Sequence, residues 1–168
     1  MDRAQSRSGK GGISVLPVVD EADMRECFAV RREVFVEEQG VPEELEWDEV
    51  DRQRKAVYLA AFAEGKVIGC LRLRPVGESA LKVERLAVRA PWRGRGIGSA
   101  LMEAAESWAQ GHGYRRMVVH AQVRVVDFYL RLGYTKNPRP PFEEAGILHV
   151  AMEKTLSTEA NRLPLTGP

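Results

Sequence analysis

Val88-Arg-Ala-Pro-Trp-Arg-Gly-Arg-Gly-Ile-Gly98-Ser99 decides how this chain reads. It joins a β-rich run to the clearest helix in the sequence, in which Ile97, Leu101, Ala104, Ala105 and Trp108 recur with helical spacing. Gly94, Gly96 and Gly98 let the backbone approach a ligand closely and turn its N–H groups inward. The helix start adds unpaired N–H donors and the positive end of a dipole. Together they form an anion site suited to a phosphate chain, and Arg93 and Arg95 add charge at the same place. The dinucleotide pattern Gly-x-Gly-x-x-Gly fails, because its third glycine falls on Ser99. A solvated basic turn is the plain alternative.

Outward from this turn the hydrophobic period alternates. Residues 13–18 read as a strand, and Asp20 caps a helix bearing Met24, Cys27, Phe28, the stem of Arg31, Val34 and Phe35 on one face. Residues 36–51 read as irregular, with Gly40 and Pro42 as breakers. Residues 56–63 and 67–73 form a hairpin through Glu64-Gly65-Lys66, and 81–88 is a further strand. The long helix stops near Gly111, and a strand follows at 116–121. Val125, Phe128, Tyr129 and Leu132 share one face of a helix that ends at Gly133, and 148–153 closes the domain as a strand. The order β-α-β-β-β-α-β-α-β predicts an α/β fold, a mixed sheet with helices on both faces. The expected division is a flexible leader 1–12, one domain 13–156 and a flexible tail 157–168.

The chain has 168 residues, 44% hydrophobic and 29% charged, with a net charge of +1 and a pI of about 7.8. One packed domain is expected, and the near-neutral balance argues against a nucleic-acid partner. No apolar run reaches membrane-spanning length, and no secretory signal is legible at the start. Cys27 and Cys70 lie in apolar settings without metal or redox spacing, so they read as reduced core thiols of a cytoplasmic protein. Three scattered histidines offer no metal cluster. A homodimer is compatible with such a domain, but no interface is legible.

Charge is unevenly spread. Residues 33–51 hold nine acids and no lysine or arginine, whereas 85–95 hold four arginines and no acid. The acidic run suits a cationic acceptor, with Gln39, Glu46 and Asp48 as contacts, or is a solvated loop; the basic run suits a polyphosphate. Trp47 is expected to pack on a neighbour.

Six motifs in order then make a resemblance specific. Arg93-x-x-Gly96-x-Gly98 follows Leu86-Ala87-Val88. His120-Ala-Gln-Val123, then Phe128-Tyr129 with Leu132-Gly133-Tyr134, and residues 142–149 come after. Upstream stand Arg31-x-x-Val34-Phe35-Val36-x-Glu38-Gln39 and Glu46-x-Asp48-x-x-Asp51. From about residue 13 to 155 the chain resembles the GNAT superfamily of N-acetyltransferases, in its ElaA/YjcF-like branch. The resemblance implies acetyl-CoA as co-substrate, a pantetheine arm beside Glu84 to Val88 (Leu86, Ala87 and Val88 at its edge), and a pyrophosphate held by backbone N–H groups of Arg93, Gly94, Arg95, Gly96, Ile97, Gly98 and Ser99. It also implies a Tyr129 hydroxyl facing the coenzyme sulfur. Two positions depart from the branch: Tyr58 stands roughly where a histidine is usual, and Leu148 where proline precedes the last histidine.

Acetyl transfer to an amine needs a neutral nitrogen, a donor to the thioester oxygen and a proton for the leaving thiolate. Tyr129 is the candidate acid, or else a core aromatic. Glu84 is the candidate base, or else an ion-pair partner; His120 and His149 are alternative bases or acceptor contacts, or structural histidines. A backbone N–H near Val88 is the candidate donor to the oxygen. The expectation is an amine N-acetyltransferase working by direct attack in a ternary complex. Its rival is an acyl-CoA sensor or interaction module without catalysis.

Overall fold

Alternate side chains of the central strands divide between two hydrophobic cores in the computed structural model, which describes residues 12–157. In β2 (Val57–Ala63), Leu59, Ala61 and Ala63 join one core while Ala60 and Phe62 join the other. The first core is filled by Ile97, Leu101, Met102, Ala105 and Ala109 of α4 (Ile97–Gly111) and by Val126 and Tyr129 of α5 (Val126–Arg131). The second receives Cys27 and Val30 of α1 (Glu21–Arg31), with Val34 and Phe35 beyond it. Burying one such aliphatic side chain is worth about 1.5–3 kcal/mol. Both faces of the sheet are thereby covered, as the alternating pattern predicts.

β1 (Ile13–Pro17) starts an edge and β3 (Lys66–Val76) follows β2 through a turn in which Glu64 and Gly65 take φ of 53° and 77°. β4 (Ala80–Val88), β5 (Arg116–Gln122), β8 (Ile147–Thr155) and the short β6 (Thr135–Lys136) continue the sheet in the order β1-β2-β3-β4-β5-β8-β6. Among the described residues only β4 and β5 pair in parallel, and α4 makes the crossover between them.

Several local expectations change. Among the described residues eight strands replace six, because β6 (Thr135–Lys136) and β7 (Phe142–Glu144) are too short to carry a readable period. β7 forms a hairpin with β8 across Ala145 and Gly146, both at positive φ. The α1 helix runs into a π-helical segment, Arg32–Glu38, and the stretch expected to be irregular contains α2 (Glu43–Glu46) and α3 (Glu49–Gln53). α4 keeps Gly111 as its last residue, but the left-handed position is Gly113 at φ 81°. Arg31 is 1% exposed, so its guanidinium as well as its stem is buried. Apart from Gly12 and Ser157, the expected leader and tail lie outside the described residues.

Candidate active site

The β4–β5 ladder ends at Val83 and Val119, yet the strands continue to Val88 and Gln122. Beyond that point no β5 residue pairs with β4, and a cleft opens between them. A bulge on β4 helps part the strands: the β3 register jumps from Cys70–Ala87 to Arg72–Glu84, and Arg85 sits at φ 58°. A left-handed arginine stores about 1–3 kcal/mol of strain. Glu46 braces it, with Oε1 at 3.3 Å from the Arg85 Nε and its carbonyl accepting from Nη2 at 3.3 Å.

Two adjoining cavities occupy the cleft. One, of about 230 Å³, is lined by Glu84, Leu86, His120, Tyr129, Glu144 and His149 among others. The second, of about 730 Å³, runs past Leu86, Ala87, Val88 and Arg93. Gln39, Leu86 and Gln122 border both, and the Gln122 amide donates to the Gln39 Oε1 across the cleft at 2.9 Å.

The glycine turn stands where the second cavity meets α4. Gly94 and Gly96 take φ of 74° and 78°, and a Cβ at either would meet no atom within 4 Å. Their role is therefore to set the backbone curve and leave the amides from Gly94 onward open, which fits a pyrophosphate. Arg93 is corrected as an amide donor, because its N–H already donates to the Ala90 carbonyl at 3.2 Å. Gly98 has a different reason: a Cβ there would lie 3.3 Å from the Phe128 ring. Ile97 is buried in the first core, so it can offer a ligand only its amide. Arg93 braces the turn, donating from Nε to the Val88 carbonyl at 2.9 Å and pairing with Glu38 at 2.8 Å, while Arg95 lies over the Trp92 ring at 4.9 Å.

The acidic and basic runs meet each other. Arg85 pairs with Glu46, Arg89 with Glu33 and Arg93 with Glu38. Deeper in, Arg31 donates to Glu46 and, through two nitrogens, to Asp51, each at 2.8 Å. Arg72 binds Asp48 at 2.7 Å and Asp51 at 3.0 Å, and Tyr58 donates to Asp51 at 2.7 Å. Tyr58 thus fills its departure from the branch pattern with a hydrogen bond to this network. Asp48 also caps α3 by accepting the Asp51 amide. Trp47 packs against Phe28 and beneath the Arg31 guanidinium. The solvated-loop alternative fails for Glu46 and Asp51, which are buried. As acceptor contacts, Glu46 and Asp48 are corrected: arginines already engage both, and only Glu46 reaches the cavity lining.

Glu84 is corrected likewise. Its carboxylate accepts from Arg74 at 2.7 Å and lies 3.3 Å from Arg72 and 3.7 Å from Lys82. Burial pushes it up, but the Arg74 hydrogen bond and the Arg72 and Lys82 charges prevail and hold its pKa at about 2. Such a carboxylate is a poor proton acceptor at neutral pH. Tyr129 is 7% exposed, packs edge-on to Phe128 and Tyr134, and its hydroxyl has no hydrogen-bond partner among the described residues. Burial raises its pKa to about 12, so it keeps its proton.

His120 and His149 both line the smaller cavity. The His120 Nδ1 lies 2.7 Å from the Glu144 Oε1, and the His149 Nδ1 lies 2.7 Å from the Ile147 carbonyl. Burial first, then Lys82, lower the His120 pKa against the pull of Glu144. Sequence reasoning missed Glu144, Arg72 and Arg74, because their partners come from distant segments. The Ala145-Gly146 turn was the one local sign that Glu144 ends a hairpin strand.

Residues 16–156 match the family model described as acetyltransferase (GNAT) domain. The uncharacterized N-acetyltransferase YjcF of Bacillus subtilis (strain 168) is 34% identical over 135 residues, 80% of this chain and 94% of that protein. A crystal structure of a candidate N-acetyltransferase from Lactobacillus plantarum superposes with a TM-score of 0.79 at 29% identity, over 88% of this chain and 100% of that one. Escherichia coli ElaA shares the fold with a TM-score of 0.74 at 19% identity, over 84% and 99% of the two chains.

Proposed function

Because the chain belongs to the GNAT acetyltransferase family, within its ElaA/YjcF-like branch, we propose that it transfers the acetyl group of acetyl-CoA to a primary amine by direct attack in a ternary complex. The observation that carries this reading is the parting of β4 from β5 beside the glycine turn: one unpaired strand edge and one set of open amides, continuous with a second chamber. Acetyl-CoA supplies the acetyl group as a thioester.

In this reading the edge of Leu86, Ala87 and Val88 binds the pantetheine arm. The amides from Gly94 to Ser99 hold the pyrophosphate, since the Arg93 amide is spent on the Ala90 carbonyl. A backbone N–H near Val88 donates to the thioester oxygen as charge gathers there. Tyr129, which retains its proton and borders the chamber, donates it to the departing thiolate. Direct attack is favoured over an acyl-enzyme because Cys27 and Cys70 are buried in the second core and line neither cavity. The acceptor enters the smaller chamber, bordered by Gln39, His120 and His149.

The test is thiol release from acetyl-CoA across polyamines, amino acids, aminoglycosides and lysine peptides. Release with formation of the N-acetyl product supports transfer. Binding of coenzyme A at least as tight as acetyl-CoA, with no thiol released by any amine, would instead establish a sensor.

A further inference from the structure

Once Glu84 is tied to arginines, the smaller chamber needs another group to accept the proton of the amine. Two imidazoles border it, and they differ in what holds them. A carboxylate only accepts hydrogen bonds, so the 2.7 Å contact with Glu144 places the His120 proton on Nδ1. In the neutral ring the lone pair is then on Nε2, which has no hydrogen-bond partner among the described residues. The ring is fixed edge-on against Phe142 at 4.9 Å between centroids, and Phe142 is itself covered by the Arg139 guanidinium at 3.7 Å. His149 has the same tautomer, but its Nδ1 faces a neutral carbonyl of its own strand. Only His120 has an anion placed to stabilise the imidazolium that proton transfer creates.

We propose that His120 is the general base for the amine and that Glu144 is its positioning residue, an assignment that rests on the acetyl-transfer reading above. As the amine nitrogen bonds to the thioester carbon, His120 takes a proton from that nitrogen, directly or through one water. The C–S bond then breaks, its electron pair leaves on sulfur, and the Tyr129 proton completes the thiol. Passage of the His120 proton back to Tyr129 through solvent restores both groups, so one amide and one thiol form and nothing is oxidised or reduced. An amine that enters as ammonium first gives its extra proton to solvent.

The charged and titratable groups that act on His120 or line the chamber with it are Glu144 of β7, Lys82, Glu84 and Arg85 of β4, Tyr129 of α5, His149 of β8, Glu46 of α2, Arg124 after β5 and Arg139 ahead of β7. Lys82 and Arg139 favour the neutral imidazole, whereas Glu144 favours the charged one. Removing the Glu144 charge should therefore move the His120 titration to lower pH.

The experiment compares kcat/KM against pH for the wild type, H120Q, H120A and E144Q, with an amine found active in the panel. H120Q should lose about 100- to 10,000-fold in kcat/KM, with its acetyl-CoA affinity and melting temperature retained. Its profile should lack the limb that the wild type shows near histidine's range. Added imidazole should restore part of the H120A rate, which a purely structural histidine would not allow. E144Q should fold and carry the same limb at lower pH. Wild-type activity that survives in H120Q within threefold, or an E144Q limb that stays in place, overturns the assignment alone. A wild type that releases no thiol with any amine overturns the transfer reading and this one with it.

Discussion

Glu84→Gln separates an ion-pair anchor from a base. The Glu84 carboxylate, 10% exposed, lies among Arg74, Arg72 and Lys82. Its pKa falls from 4.5 to about 2. At about 1.36 kcal/mol per unit, the charge contributes about 3 kcal/mol to folding. The folded pKa is the lower one, so this contribution is full above about 4.5 and is lost as pH falls toward 2. At pH 7 the variant should unfold about 6–12 °C below the wild type, since a domain of this size shifts by about 2–4 °C per kcal/mol. Urea unfolding at pH 7, 4 and 3 should show the gap between wild type and variant narrowing as the solution is acidified. The histidine-range limb of the rate should persist. A variant as stable as the wild type at pH 7, or one that loses that limb, would refute the assignment of Glu84 as an anchor.

Three further outcomes are expected. Arg31→Met removes the buried cation shared by Glu46 and Asp51, leaving Glu46 to Arg85 and Asp51 to Arg72 and Tyr58, and should destabilise the fold by about 3 kcal/mol in urea titrations. Gly69→Ala would bring a Cβ to 3.0 Å from the Ala87 carbonyl and 3.2 Å from Leu101, so it should cost about 1–3 kcal/mol and weaken acetyl-CoA binding by displacing β4, measurable by melting and calorimetry. Tyr129→Phe should slow acetyl transfer about 10- to 100-fold, because a thiolate of pKa about 8.5 leaves tolerably without help, while coenzyme affinity is kept.

The parts of the fold legible in the sequence are those with a local physical cause. The α4 face repeats every three to four residues, and Gly94 and Gly96 occupy positive φ where the turn needs it. Asp20 caps α1, accepting the Asp23 amide at 2.8 Å, for a reason contained in four residues. The buried charge network was hidden, because Arg31 meets Glu46 and Asp51 only when α1, α2 and α3 pack together. Three arginines of the basic run pair with acids of the other run, Arg85 with Glu46, Arg89 with Glu33 and Arg93 with Glu38. The β4 bulge has no sequence sign either: nothing in Glu84-Arg85-Leu86 announces a left-handed arginine, which depends on Glu46 holding it from another segment. His120 was visible as a candidate, but Glu144, which distinguishes it from His149, reaches it only through β7.

A crystal structure of the protein with coenzyme A bound would show whether the cleft between β4 and β5 is the coenzyme site. The pantetheine should lie between Leu86–Val88 and the end of β5, with the pyrophosphate on the amides from Gly94 to Ser99 and the sulfur beside Tyr129. Coenzyme density elsewhere, with that turn empty, would contradict it.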